Sequence, residues 1–119
     1  MDAALADEDY CYLTTTGRVS GEPREIEIWF AAHDSTIYML SGGGERSNWV
    51  RNIGARPEVA VRIGAQAFAG RGRIVEDVDE DALARRLVFE KYRPRYSGDL
   101  TDWRATALPV AIDLRPAEP

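Results

Sequence analysis

Polar and apolar residues alternate from Tyr10 to Thr16, where aromatic and β-branched side chains dominate and Gly17 ends the run, so the stretch predicts a strand. Gly17-Arg18-Val19-Ser20-Gly21-Glu22-Pro23 carries two glycines and a proline, the composition of a hairpin loop. Arg24 to Ala32 sets Ile26 and Ile28 on one side and Glu25, Glu27 and Trp29 on the other before turning wholly apolar. It reads as one strand pairing back on the first. His33-Asp34-Ser35 is a turn, and Thr36 to Leu40 forms the third strand of a meander. Val59, Val61 and Ile63 alternate as a fourth strand, Ala67 to Glu76 makes a fifth, and Pro109 to Leu114 is a last strand for an edge or barrel-closing place. Gly70 and Gly72 inside the fifth imply a bulge or a close backbone approach.

Two stretches change period from two to about 3.6. Ser47 is placed to cap a short helix with Trp49, Val50 and Ile53 on one face and Gly54 just past its end. Asp79 caps a longer one, with Val78 and Leu83 as a hydrophobic staple and Leu83, Ala84, Leu87, Val88 and Tyr92 as the apolar stripe. Arg93 before Pro94 should end it. Residues 2–8 read as a frayed turn or helix and residues 95–107 as irregular. Together these elements predict one α+β domain over residues 1–119, six mostly antiparallel strands closing as a small barrel with one short and one longer helix.

Composition narrows the chemistry. Hydrophobic residues at 45% and charged residues at 29% suit an ordinary globular domain, and no apolar run is long enough for a membrane span. MDAALADEDYCYL has acids before its short apolar stretch and no basic n-region, so it does not read as a secretory signal, and the cytoplasm is the expected compartment. Cys11 is the single cysteine and sits in an alternating run, the position of a small buried side chain. His33 is the single histidine, in a turn beside Asp34, without a second soft ligand for zinc and without a GxSxG elbow.

Charge is the more telling signal. Net charge is −5, yet Ser41 to Val75 holds six arginines against Glu45 and Glu58, while residues 76–90 hold six acids against Arg85 and Arg86. An acidic protein with a basic middle lacks the broad positive face that nucleic acid needs, and is suited to one small polyanion. The basic stretch contains Ser41 to Pro57, SGGGERSNWVRNIGARP, in which three glycines feed a helix start. Bare backbone and unpaired N–H groups there favour an anion, and Arg46, Arg51 and Arg56 add positive charge around it. The stretch is neither a Walker loop nor GxGxxG.

TTTGRVSGEPR (Thr14 to Arg24), followed by a strand and then SGGGERSNWVRNIGARPEVAV (Ser41 to Val61), resembles the deazaflavin-dependent nitroreductase and quinone reductase family. The similar order of elements extends to Pro109–Ile112, and the resemblance is sharp in the two quoted segments. It implies a split β-barrel related to flavin-binding reductases, and the cofactor F-420, a deazaflavin with a phosphate and polyglutamate tail. The reduced coenzyme would deliver hydride to a planar electrophile such as a quinone or nitroaromatic. By the same resemblance Arg18 and Arg24 lie near the anionic tail, Ser41, Gly42 and Gly43 make backbone contacts beside the phosphate or ring, and Trp49 and Asn52 contribute from the helix.

The local sequence adds Arg46 and Arg51 to that set. Ser41, Tyr92, Tyr96 or solvent are the candidate donors of the proton that follows hydride transfer, and Trp29, Trp49 and Trp103 are candidate aromatic walls. Many relatives carry a basic residue where Val19 stands, and often another where Gly42 stands, which removes two phosphate partners. FMN in the same barrel and a non-catalytic cofactor- or lipid-binding protein are the alternatives, and a homodimer is compatible with relatives that often pair.

Overall fold

The computed structural model describes residues 1–115, and the alternating runs of the sequence appear in it as seven strands. These are β1 (Cys11–Thr16), β2 (Pro23–Ile28), β3 (Ala31–His33), β4 (Thr36–Ser41), β5 (Glu58–Ile63), β6 (Gln66–Ile74) and β7 (Leu108–Leu114). β1 turns Cys11, Leu13 and Thr15 inward, and β5 does the same with Val59, Val61 and Ile63. The helices are α1 (Ala3–Ala6), α2 (Asn48–Ala55), α3 (Val78–Tyr92) and α4 (Thr101–Thr106). Among the described residues no helix is long and apolar enough to cross a membrane.

One sheet contains all seven strands in the order β2-β1-β5-β6-β7-β4-β3, antiparallel throughout. The expected six strands become seven because Arg24 to Ala32 breaks at Trp29-Phe30. The expected meander fails at the same point, since β4 pairs with β3 and β7 and sits far from the β1–β2 hairpin in the sheet order. β2 occupies one edge of the sheet and β3 the other. Laid flat, seven strands would hold those edges roughly 29 Å apart, whereas the short join from Ile28 to Ala31 reaches about 10 Å. The sheet therefore curls into a half-barrel.

Side chains of α3 fasten the join. Tyr92 Oη accepts the Phe30 N–H at 3.0 Å and lies 2.7 Å from the Asp9 carbonyl, to which it donates. Lys91 Nζ donates to the carbonyls of Ala6 and Phe30, both at 2.9 Å. Trp29 stacks on Tyr92 with ring centroids 4.3 Å apart and planes 1° from parallel.

Two apolar clusters result. Leu13, Phe30, Ile37, Met39, Val61 and Ile112 fill the barrel together with Val50 and Ile53 of α2. Tyr38, Leu40 and Ala111 meet Ala84, Val88 and Tyr92 of α3 on the outer face. Gly72 shows why α2 can sit so close, because a Cβ there would stand 2.8 Å from Ile53 Cγ2. The close approach expected of Gly70 and Gly72 is thus observed, and the β5–β6 register runs unbroken from Glu58↔Arg71 to Ile63↔Gln66.

The helix boundaries correct three expectations. Asp77 caps α3 by accepting the Glu80 N–H at 2.9 Å, so the cap falls two residues before Asp79, and Val78 is 81% exposed and forms no staple. Helix α2 starts after Ser47 as expected but runs through Gly54 to end at Ala55, with Arg56 as its C-cap. Helix α4 lies inside a stretch read as irregular.

Arg73 ties α3 to the sheet. Its guanidinium reaches Glu80 at 2.6 Å and Asp113 at 2.7 Å, while Tyr38 Oη donates to Glu80 at 2.8 Å and Thr36 Oγ1 to Asp113 at 2.9 Å. Hydrogen bonds from Arg73 hold both carboxyls below their ordinary values of 4.5 and 3.8. Carboxyls depressed in the folded state stabilise it above the ordinary range, and that contribution fades as pH falls through the folded values. Arg73→Met should therefore flatten the loss of stability between about pH 5 and pH 3, read from denaturant midpoints at a series of pH values. Tyr92→Phe should cost about 1–3 kcal/mol by stranding the Phe30 N–H and Asp9 carbonyl, measured by the same unfolding curves.

Candidate functional site

The tip of the β1–β2 hairpin folds back toward α2, and a groove of about 770 Å³ lies between them. The tip is tight: the Gly17 N–H donates to the Glu22 carbonyl and the Gly21 N–H to the Gly17 carbonyl, both at 2.8 Å. Gly21 takes φ 75°, a conformation costly for any residue with a Cβ. This turn sends Arg18 and Val19 to one side of the groove and brings Arg24 of β2 up beside them.

Asn52 of α2 organises the opposite wall. It is 3% exposed, and both polar atoms of its amide are bonded. Nδ2 donates to Thr15 Oγ1 at 3.1 Å, and Oδ1 accepts both the Arg18 backbone N–H at 3.2 Å and Arg18 Nη1 at 2.8 Å. Asn48, one turn earlier, accepts Arg18 Nη2 on its Oδ1 at 3.3 Å. Helix α2 thus fixes both the hairpin backbone and the first guanidinium. Arg24 Nη2 reaches Ser20 Oγ at 3.3 Å. Among the described residues neither Arg18 nor Arg24 forms an ion pair, although Glu25 also lines the groove.

The remaining walls are Trp49, Ile26 and Pro23. A flat apolar wall beside two guanidiniums without acid partners fits a planar ligand with an anionic tail: the ring finds an aromatic surface, and the charge finds donors.

The sequence-derived candidates divide. Arg18, Arg24, Trp49 and Asn52 come together in the groove, while Ser41, Gly42, Gly43, Arg46 and Arg51 stand outside its lining. Ser41 is 2% exposed, and its hydroxyl donates to the Gly44 carbonyl at 3.0 Å while lying 2.8 Å from Ser47 Oγ. That bond also engages the Ser47 hydroxyl, so the expected cap of α2 has no side-chain bond. Among the three glycines Gly44 takes positive φ, at 61°, and Gly42 lies against the Trp103 ring.

The tyrosines sit elsewhere. Tyr92 is a core residue whose hydroxyl is held at the β2–β3 join, and burial pushes its pKa up. Tyr96 and Trp103 meet Trp29 edge-on, both with centroids 5.6 Å away. Cys11 is fully buried, with its thiol pushed up to about 12 by desolvation, which removes it as a nucleophile. His33, expected in a turn, is the exposed last residue of β3, paired with Thr36 and beside Asp34 of the turn.

Asn48 was missed by the sequence reading, and the signal was present: Asn48 and Asn52 are four apart, so a helix puts both amides on one stripe. Glu25 and Ser20 were missed because which face of β2 lines the groove depends on the curl of the sheet.

A curled antiparallel half-barrel with a cationic, tryptophan-walled groove is a split-barrel domain. The family profile for F420H(2)-dependent quinone reductase matches residues 3–115, and the chain belongs to that family, whose name denotes an oxidoreductase and its deazaflavin cofactor. The F420H(2)-dependent quinone reductase of Mycobacterium tuberculosis (strain H37Rv) is 31% identical over 90 residues, covering 71% of this chain. The chain spans 60% of that relative's length. An F420-H2 dependent reductase shares the fold with a TM-score of 0.71 at 22% identity, over 90% of this chain and 94% of its own. A chain solved as a domain-swapped dimer matches with a TM-score of 0.71 at 24% identity, over 90% of this chain and 80% of its own.

Asn52→Leu should lower stability by about 1–3 kcal/mol, because Thr15 Oγ1 and the Arg18 N–H lose their buried partner. Asn48→Ala, at an exposed position, should change it by less than about 0.5 kcal/mol. Urea unfolding of the two variants checks the difference.

Proposed function

We propose that the chain holds coenzyme F-420 in the groove between the β1–β2 hairpin and α2, and passes hydride from the reduced form to a planar electrophile such as a quinone or nitroaromatic. The observation that carries this reading is the convergence of Arg18, Arg24 and Trp49 on one groove. When bound, the deazaflavin supplies the hydride.

The chain's own residues bind and orient. Arg18 and Arg24 neutralise the anionic tail, and Arg18 needs little reorganisation because Asn48 and Asn52 already fix its guanidinium. Trp49 offers a flat face to the ring, and Ile26 and Pro23 limit water along the same wall. Ser41 Oγ and Tyr92 Oη are engaged inside the fold and Tyr96 stands outside the groove lining, so solvent supplies the proton that follows hydride transfer. A single buried thiol suits the cytoplasm.

Fluorescence titration with the oxidised deazaflavin tests binding, and turnover with quinones and nitroaromatics tests the reaction. Arg24→Ala and Arg18→Ala should each weaken binding by roughly fivefold to tenfold at low salt and flatten its salt dependence. Unchanged dissociation constants in both variants would remove the groove as the site. Binding without turnover across the acceptors would make the protein a carrier, and a flavin band in the purified protein would make FMN the cofactor.

A further inference from the structure

We infer that the free edge of β2 recognises the ligand's ring, the backbone N–H and C=O of Glu25 pairing with a cyclic imide on its rim. This rests on the deazaflavin reading above and names the part of the ring that is gripped.

Strand register fixes which backbone groups are free. The Gly17 N–H donates to the Glu22 carbonyl, which makes Gly17 and Glu22 a bonded pair, and bonded and non-bonded pairs alternate along an antiparallel ladder. Thr15↔Arg24 and Leu13↔Ile26 are then bonded, while Thr16↔Pro23, Thr14↔Glu25 and Tyr12↔Glu27 are not. Pro23 has no N–H to give, and it falls on a non-bonded pair as this alternation requires. The N–H and C=O of Glu25 therefore point away from β1, and among the described residues β2 has no neighbouring strand on that side.

Those groups face the groove. Arg24 and Ile26 point to one face of β2, where Ile26 packs against the barrel core, and Glu25 points to the other with Tyr12 and Glu27. Yet Pro23, Arg24, Glu25 and Ile26 all line the groove. Four consecutive residues of a strand can line one groove only where it runs along the strand's edge, so Glu25 meets it with backbone.

The edge within the groove offers the Pro23 carbonyl, the Glu25 N–H and the Glu25 carbonyl, a single donor between two acceptors. An added peptide strand would need a run of donors, and Pro23 removes one of them. A cyclic imide needs no more than is there. Its ring N–H donates to the Glu25 carbonyl, and the ring carbonyl beside it accepts the Glu25 N–H. The pyrimidine ring of a deazaflavin carries such an imide, and Trp49 stands in the same groove to cover the ring's face.

The intact protein is titrated, by fluorescence, with the oxidised deazaflavin and with its analogue methylated on the imide nitrogen. Methylation removes the ring's donor and should weaken binding to the wild-type protein by roughly tenfold or more. Glu25→Pro should bind the parent roughly threefold to tenfold more weakly than Glu25→Val, because the two variants share the loss of the carboxylate and differ in the N–H. Glu27→Pro places a proline on the same edge outside the groove lining and should bind like the wild type. Equal affinity of the wild-type protein for the parent and the methylated analogue would overturn the inference and keep the cofactor reading, as would equal affinity of Glu25→Pro and Glu25→Val for the parent. No binding of the parent to the wild type would overturn both.

Discussion

A chain that leaves one edge of a sheet and must begin the opposite edge two residues later can do so in one way: the edges have to meet. Trp29-Phe30 imposes that condition, and the rest of the architecture follows from it. The sheet rolls, its inner face closes around α2, and α3 is drawn to the outer face where the join needs covering. Polar groups exposed by the break cannot pair along a ladder, so they pair with Tyr92 and Lys91 instead. A tyrosine that would look like a catalytic hydroxyl in a list of conserved chemistry is here part of the closure.

The same curl explains where the groove lies. Rolling the sheet turns the β1–β2 hairpin over the end of α2, and Asn52 fixes the distance between them. Because a buried amide with both polar atoms bonded tolerates little displacement, the hairpin backbone and the Arg18 guanidinium are held before any ligand arrives. The groove is therefore framed by a helix, a paired strand and a hairpin tip tied to that helix. The glycine run from Gly42 to Gly44 turns the chain from β4 toward α2 and stands outside the lining of the groove.

Strand positions were legible because β1 and β5 alternate cleanly, and that periodicity survives any tertiary arrangement. The break after Ile28 was not, since Ile28-Trp29-Phe30-Ala31 is uniformly apolar and local pattern holds no mark of a change of sheet edge. Helix α4 was hidden by its shortness and by the Gly, Pro and Asp residues around it; packing near α3, rather than propensity, holds it. Arg18, Arg24, Trp49 and Asn52, all named from the family resemblance, line one groove. The hydroxyls of Ser41 and Tyr92 are bonded inside the fold, which a sequence does not reveal.

The strand order has a kinetic side as well. β1–β2, β3–β4 and β5–β6 are neighbours in sequence and can form as local hairpins, but Leu13 must find Val61, and Ser41 must find Leu108, before any of them is enclosed. Pairings so distant along the chain make loop closure the dominant entropic barrier to nucleation. β7 sits between β6 and β4, so the β3–β4 hairpin stays unpaired with the β2-β1-β5-β6 sheet until residues 108–114 arrive. During synthesis the half-barrel is therefore committed late, only once Leu108–Leu114 has left the ribosome.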